Sequence, residues 1–286
     1  MWMTITHLPD WFVIAAAGLL GLLIGSFLNV VIVRLPQRMQ AEWQQQAAEI
    51  LNQPSPDHSL ADAPGIVTPR SRCPVCHHPI AWYDNMPVLS WMLLKGRCRH
   101  CGTAIAPRYP AVELLTAVLS MVVVMWFGAS EQALASLFLV WALIALTAID
   151  LEHQLLPDQI TLPLLWLGLL LSVFGVFVTP TESILGAVAG YLSLWSIYHG
   201  YRLLTGKHGL GHGDFKLLAA LGAWLGWMML PMIILLASIS GALIGGVWLL
   251  WHGHDRSQPI PFGPFLAAAG LACLFFGHYG LQWWLG

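Results

Sequence analysis

Residues Trp11 to Val33 read WFVIAAAGLLGLLIGSFLNVVIV, an unbroken run without a charged side chain. Wound into a helix, the run is about 35 Å long, enough to cross a hydrocarbon core of about 30 Å. No Lys or Arg precedes it, so it lacks the basic leading region of a cleavable secretory signal, and basic residues begin only at Arg34. Further apolar runs lie near 111–127, 134–149, 160–178, 184–204, 215–230, 232–251 and 262–284. The whole chain is 57% hydrophobic and 9% charged, against about 25% charged in a soluble domain. So few charges cannot cover a water-facing surface. The expected fold is therefore an all-α polytopic membrane protein of about eight transmembrane helices. Seven is the alternative, because 215–251 reads either as two short spans or as one helix broken around Gly226 and Pro231.

Working outward, the charges divide the chain. Eight of its 12 Lys and Arg residues fall within 34–108, and only Arg202, Lys207, Lys216 and Arg256 follow. The division is a first transmembrane helix (1–33), a polar insert (34–108) and an apolar helical core (109–286). Cytoplasmic loops carry the excess of Lys and Arg. This predicts an outside N-terminus, a cytoplasmic insert, and Asp150 and Asp214 both at the cytoplasmic face under either span count. Within the insert, Met39, Trp43, Ala47, Ile50 and Leu51 recur at helical spacing among Gln and Glu, predicting a short helix lying on the membrane or on the protein. Residues 53–69, with four prolines, read as a linker. No internal repeat is expected.

Cys73-Pro-Val-Cys76 and Cys98-Arg-His-Cys101 are two CxxC pairs with 21 residues between them. Two such knuckles supply the four thiolates of a closed structural zinc site. Disulfides suit a reducing compartment poorly. Zinc ribbons often bind nucleic acid, but one tethered between membrane spans points to docking or folding, so no nucleic-acid partner is expected. His77, His78 and His100 flank the cysteines as possible substitutes, and Cys273 reads as a small buried apolar residue in the last span.

Two carboxylates stand at span ends. Asp150 closes an apolar run within Thr147-Ala-Ile-Asp-Leu-Glu-His-Gln-Leu-Leu-Pro157-Asp158, and Asp214 opens another within Gly211-His-Gly-Asp-Phe-Lys216. An Asp at membrane depth costs about 2.5–3.5 kcal/mol on insertion scales, so such residues tend to be functional. Paired in a poorly solvated site, two carboxyls share a proton. One then takes a proton from water while the other supports the oxyanion of a peptide carbonyl. Gly211 and Gly213 would let backbone approach an extended substrate. The competing reading has the aspartates capping helices and pairing with Lys216 or His153. Capping or ion pairing is also the expectation for Glu113, Glu152 and Asp158, and His212 reads as an exposed loop residue. No HExxH or GxSxG motif is present. The glycines at 200–207 and 209–213 fit neither a phosphate loop nor a dinucleotide fingerprint.

These residues together resemble the bacterial prepilin peptidases, the bifunctional leader peptidase/N-methyltransferases of type IV pilus and type II secretion systems. The likeness runs through Gly25-Ser-Phe-Leu-Asn-Val-Val-Ile-Val-Arg34, Pro69-Arg-Ser-Arg-Cys-Pro-Val-Cys76, Gly96-Arg-Cys-Arg-His-Cys101, Arg108-Tyr-Pro-Ala-Val-Glu113 and the two aspartate segments. Gly211-His-Gly-Asp214 matches the GxGD signature shared with presenilin-like membrane aspartic proteases. The resemblance implies Asp150 and Asp214 as the peptidase pair and Cys73, Cys76, Cys98 and Cys101 as zinc ligands. Members cut a short basic leader from prepilins and pseudopilins after a glycine, at the cytoplasmic face of the inner membrane. They then methylate the new N-terminal residue with S-adenosylmethionine. The four-cysteine insert goes with the bifunctional members, and Glu113 and residues 25–34 are candidates for the methylating site, against helix packing. The rivals are an ion-coupled transporter, which would need deep acids and broken helices in paired halves, and a non-enzymatic zinc-ribbon scaffold. Oligomeric state and the particular pilin are left open.

Overall fold

The computed structural model describes residues 9–52, 64–207, 209, 211–252 and 261–285. Their regular elements are all helices, with isolated bridges but no strand. Two compact units divide between Ala145 and Leu146, inside one helix. Four helices among these residues are long and apolar enough to cross a membrane: Asp10–Ile50, Arg108–Phe127, Glu131–His153 and Trp227–Val247. The all-helical membrane architecture is as expected.

The first unit is built on α1 (Asp10–Ile50) and α3 (Arg108–Phe127). They lie side by side because a row of glycines removes the side chains between them. A Cβ on Gly21 would come 2.7 Å from Ala117 Cα, and one on Gly25 would come 2.7 Å from Glu113 Cα. Close backbone approach through small residues is a common way for helices to pack in lipid. Further along, Asn29 Nδ2 donates to the Tyr109 carbonyl at 3.0 Å. The N-terminal half of α4 (Glu131–His153) joins through Trp141 Nε1, which donates to Ser120 Oγ at 3.0 Å.

One expectation fails here. The helix predicted at 39–51 is not separate: α1 runs for 41 residues, straight through Pro36. Interior proline normally kinks or breaks a helix. Here Leu35, Pro36 and Met39 are buried, and Arg34 Nη1 beyond the apolar run donates to the Gly65 carbonyl at 2.8 Å. Tertiary packing holds the helix through the weak point. The linker at 53–63 lies outside the described residues, and 64–69 is irregular.

The second unit holds the end of α4 together with α5 (Asp158–Val173), α6 (Pro180–Thr205), α7 (His212–Leu225), α8 (Leu230–His252) and α9 (Gly263–Leu285). The ambiguous stretch 215–251 resolves into two helices. Gly226, at φ 82, ends α7, and a 3-10 turn Trp227–Met229 leads into α8. With 14 residues, α7 is about 21 Å long, short of a full span, and almost all of it is buried. It is the centre of this unit. Against α6 the backbones of Gly222 and Gly186 are in direct approach, and Ser183 Oγ donates to the Ala223 carbonyl at 2.6 Å. Against α5, Trp224 Nε1 donates to the Leu164 carbonyl at 2.8 Å while the indole fills the space over Gly168. α6 begins with a capping box that sequence reading passed over: Thr179 accepts from Glu182 N–H, and Glu182 Oε2 accepts from Thr179 N–H at 2.9 Å.

Candidate active site and metal centre

Asp150 sits in the last turn of α4 and Asp214 in the first turn of α7. Both are buried, at 5% and 6% exposed. Asp214 is at the favourable end of its helix, where N–H groups point outward. Its Oδ2 accepts from Gly211 N–H at 3.2 Å, closing the turn over the glycines that precede it. Asp150 is at the wrong end of its helix for a negative charge, where the helix dipole is negative. The N-terminus of α9 compensates: Gly263 N–H donates to Asp150 Oδ2 at 3.0 Å. The capping reading is thus partly right for both aspartates, and in each the hydrogen bond engages Oδ2.

One side chain lies against the backbone on both sides of the site. Leu156, in the turn between α4 and α5, lies under Gly213, where a Cβ would come 2.7 Å from Leu156 Cβ. The same leucine touches Gly263, where a Cβ would come 3.2 Å from Leu156 Cδ2 and 2.5 Å from Asp150 Oδ2. Asp150 and Asp214 are near enough for their charges to act on each other. Lys216, which sequence reading offered as their partner, is engaged elsewhere: its Nζ bonds Asp158 Oδ1 and Oδ2 at 2.6 and 2.7 Å. The pair is therefore left without a neutralising cation among the described residues, the condition in which two carboxyls hold one proton between them. His212 is exposed but helical, and its ring packs on Tyr198 and Phe215. Sequence reading missed Leu156 and Gly263, which carry no chemistry of their own; the Pro-Phe-Gly-Pro at 261–264 was the available signal.

The first unit holds the second centre. One ligand atom from each of Cys73, Cys76, Cys98 and Cys101 lies within 4.8 Å of the others. Cys73 Sγ and Cys101 Sγ are 3.8 Å apart, which is about the edge of a tetrahedron with Zn–S bonds of about 2.3 Å. The donors fit a tetrahedral metal ion. Beside Cys101, the Thr103 hydroxyl pulls that thiol down to about 6, favouring the thiolate a metal binds. The histidines are not in the cluster; His78 and His100 stack on each other at 3.5 Å.

The knuckles overturn the expectation of no repeat. In one, Cys73 N–H bonds the His78 carbonyl, His77 N–H bonds the Cys73 carbonyl and Ile80 N–H bonds the Ser71 carbonyl. In the other, Cys98 N–H bonds Thr103, Gly102 N–H bonds Cys98 and Ile105 N–H bonds Gly96. Every pair is related by the same offset in sequence, and a bridge closes each loop, Arg72 to Pro79 and Arg97 to Ala104. The signal was Arg-Cys-x-x-Cys followed by Ile80 and Ile105. Arg99 anchors the second knuckle by a two-pronged pairing with Asp84, at 2.6 and 2.8 Å.

Comparison with known proteins gives this architecture a family. Residues 19–127 match the bacterial peptidase A24 N-terminal domain, and residues 137–246 match the type IV leader peptidase family. A protein of Aeromonas hydrophila described as prepilin leader peptidase/N-methyltransferase is 51% identical over 98% of this chain and 97% of its own length. The chain belongs to the type IV leader peptidase family. Relatives with the same description are 50% identical in Aeromonas salmonicida, over 98% of this chain and 97% of their own length, and in Pseudomonas aeruginosa, over 91% and 89%. No solved structure matches. The first family match ends with α3, and the second holds both aspartates.

Proposed function

We propose that this membrane protein removes the leader of type IV prepilins or pseudopilins at the cytoplasmic face of the inner membrane, with Asp150 and Asp214 as the catalytic pair. The observation that supports the reading is that Asp150 and Asp214 are both buried, each with Oδ2 held by a backbone N–H, on segments that Leu156 touches at Gly213 and Gly263, while Lys216 is engaged by Asp158. In this state the ionised carboxylate takes a proton from water. The water oxygen attacks the scissile carbonyl carbon, and the protonated carboxyl donates to the developing oxyanion. Collapse of the tetrahedral intermediate breaks the C–N bond as a proton passes to the leaving amine. No covalent acyl-enzyme forms.

In this reading 34–108 is the insert that holds a structural Zn2+ on Cys73, Cys76, Cys98 and Cys101, and 109–286 is the peptidase core. The zinc would fasten two chain-distant knuckles into one folded unit. The concentration of basic residues in 34–108 supports the cytoplasmic orientation. The relatives' description supports a second activity, transfer of a methyl group from S-adenosylmethionine to the new N-terminal amine. The test uses the purified chain in lipid with a prepilin substrate. Leader loss is read on a gel, and the mature N-terminus is weighed with and without the methyl donor. Cleavage with a methyl-sized gain only in the presence of donor is expected. An uncut prepilin contradicts the peptidase, and an unmethylated product under saturating donor removes the second activity.

A further inference from the structure

Within the first unit, α2 (Leu89–Leu93) is too short to be stable alone, yet it is held in a defined place. Val88, its N-cap, has φ 59, an uncommon conformation for a β-branched residue. Glu113 Oε2 accepts Val88 N–H at 2.7 Å. Trp91 faces inward, its Nε1 donating to the Ile105 carbonyl at 3.2 Å. The opposite stripe, Leu89, Met92 and Leu93 at i, i+3 and i+4, is 47%, 64% and 74% exposed. Beside α2 the 3-10 turn Trp82–Asn85 exposes 73% of Trp82.

Depth decides what covers this face. Glu113 lies five residues, about 7.5 Å, inside the first residue of α3, and touches Gly25, well before Arg34 on α1. Arg34 and Arg108 mark where the two apolar helices leave the hydrocarbon. The contact that pins α2 is on the membrane side of both. An apolar stripe at that level, with tryptophan next to it, is in the position of an interfacial helix.

Charge selects the lipid. Residues 64–108 carry Arg70, Arg72, Lys95, Arg97, Arg99 and Arg108 against the single acid Asp84. A zinc ion on four thiolates would still leave this segment net positive. Basic residues beside an inserted apolar face favour an anionic leaflet.

We propose that the Leu89–Met92–Leu93 face of α2, with Trp82, lies in the headgroup–acyl boundary of an anionic membrane and holds the metal-centre segment down on the bilayer. This does not depend on the peptidase reading. The test places a benzophenone amino acid at Leu93, and separately at Met92, in the full chain. The protein is reconstituted in phosphatidylcholine vesicles with or without phosphatidylglycerol. Leu115, exposed on α3, is the lipid-facing control, and Gln46, exposed on the far end of α1, is the water-facing one. After illumination, lipid adducts at Leu93 and Met92 should approach the Leu115 yield, and rise about threefold with phosphatidylglycerol. A yield at the Gln46 level, or adducts mainly to polypeptide (a second copy or a substrate segment), would overturn the proposal. Equal yields with and without the anionic lipid would overturn its electrostatic half.

Discussion

Gly263→Ala isolates the placement of one carboxylate. The backbone at 263 is in an ordinary conformation, so alanine itself introduces no strain there, and the site is the first residue of α9. Its Cβ, however, would come 2.5 Å from Asp150 Oδ2 and 3.2 Å from Leu156 Cδ2. A carbon meets a carbonyl-type oxygen at about 3.3 Å or more, so the carboxylate must retreat by about 0.8 Å. Leu156 on the other side blocks the simplest compensation. A misplacement of about 1 Å in a catalytic constellation costs about 100-fold in rate. The expected result is kcat for leader cleavage down about 100-fold, KM little changed, and thermal unfolding within about 0.5 kcal/mol of the parent. Gly200→Ala is the companion, because nothing lies within 4 Å of its Cβ. Initial rates on a purified prepilin, with an unfolding scan of each variant, decide the matter. A Gly263→Ala protein that cleaves within about twofold of the parent would refute the claim that this contact positions Asp150.

Other consequences follow from the packing and the metal centre. At Gly186 or Gly222 an added methyl would be driven into the opposite helix's backbone; alanine at either should cost about 1–3 kcal/mol or more, read as a lowered unfolding midpoint in detergent. Metal analysis of the purified chain should find one zinc per molecule, and Cys73→Ser or Cys98→Ser should abolish it. Asp84 is held below the ordinary carboxylate range by hydrogen bonds from Arg99. Its folded value is depressed, so the stabilisation is present above the unfolded value of about 3.9 and is lost as pH falls through the lower folded value. Asp84→Asn should flatten that acid limb in hydrogen exchange of residues 96–105.

The candidate site residues were legible because they are residue types with few other reasons to be where they are. Four cysteines in two CxxC pairs and two aspartates at the ends of apolar runs declare themselves without coordinates. The supports did not. Leu156 and Gly263 matter through shape, and a lone leucine or glycine in an apolar chain gives no local sign of what it touches. The helical spacing of 39–51 was read as a separate helix, whereas buried neighbours and the Arg34–Gly65 bond carry α1 on through Pro36. Lys216 was offered to the aspartates because it is two residues from one of them, whereas folding carries it to Asp158, 58 positions away. The knuckle repeat had its signal in Arg-Cys-x-x-Cys with Ile80 and Ile105, which the differing residues of the two loops obscured.

The central claim is that Asp150 and Asp214 act as a unit, and the isosteric amides test it most directly. Asparagine can still accept the N–H of Gly263 or Gly211, so Asp150→Asn and Asp214→Asn should fold with the parent's unfolding midpoint. Cleavage by each should fall by about 10³-fold or more, and the double variant should fall no further, as expected of groups that share one proton and one water. Cleavage by either single variant within about tenfold of the parent, or a double variant whose loss is the product of the two singles, would contradict the account.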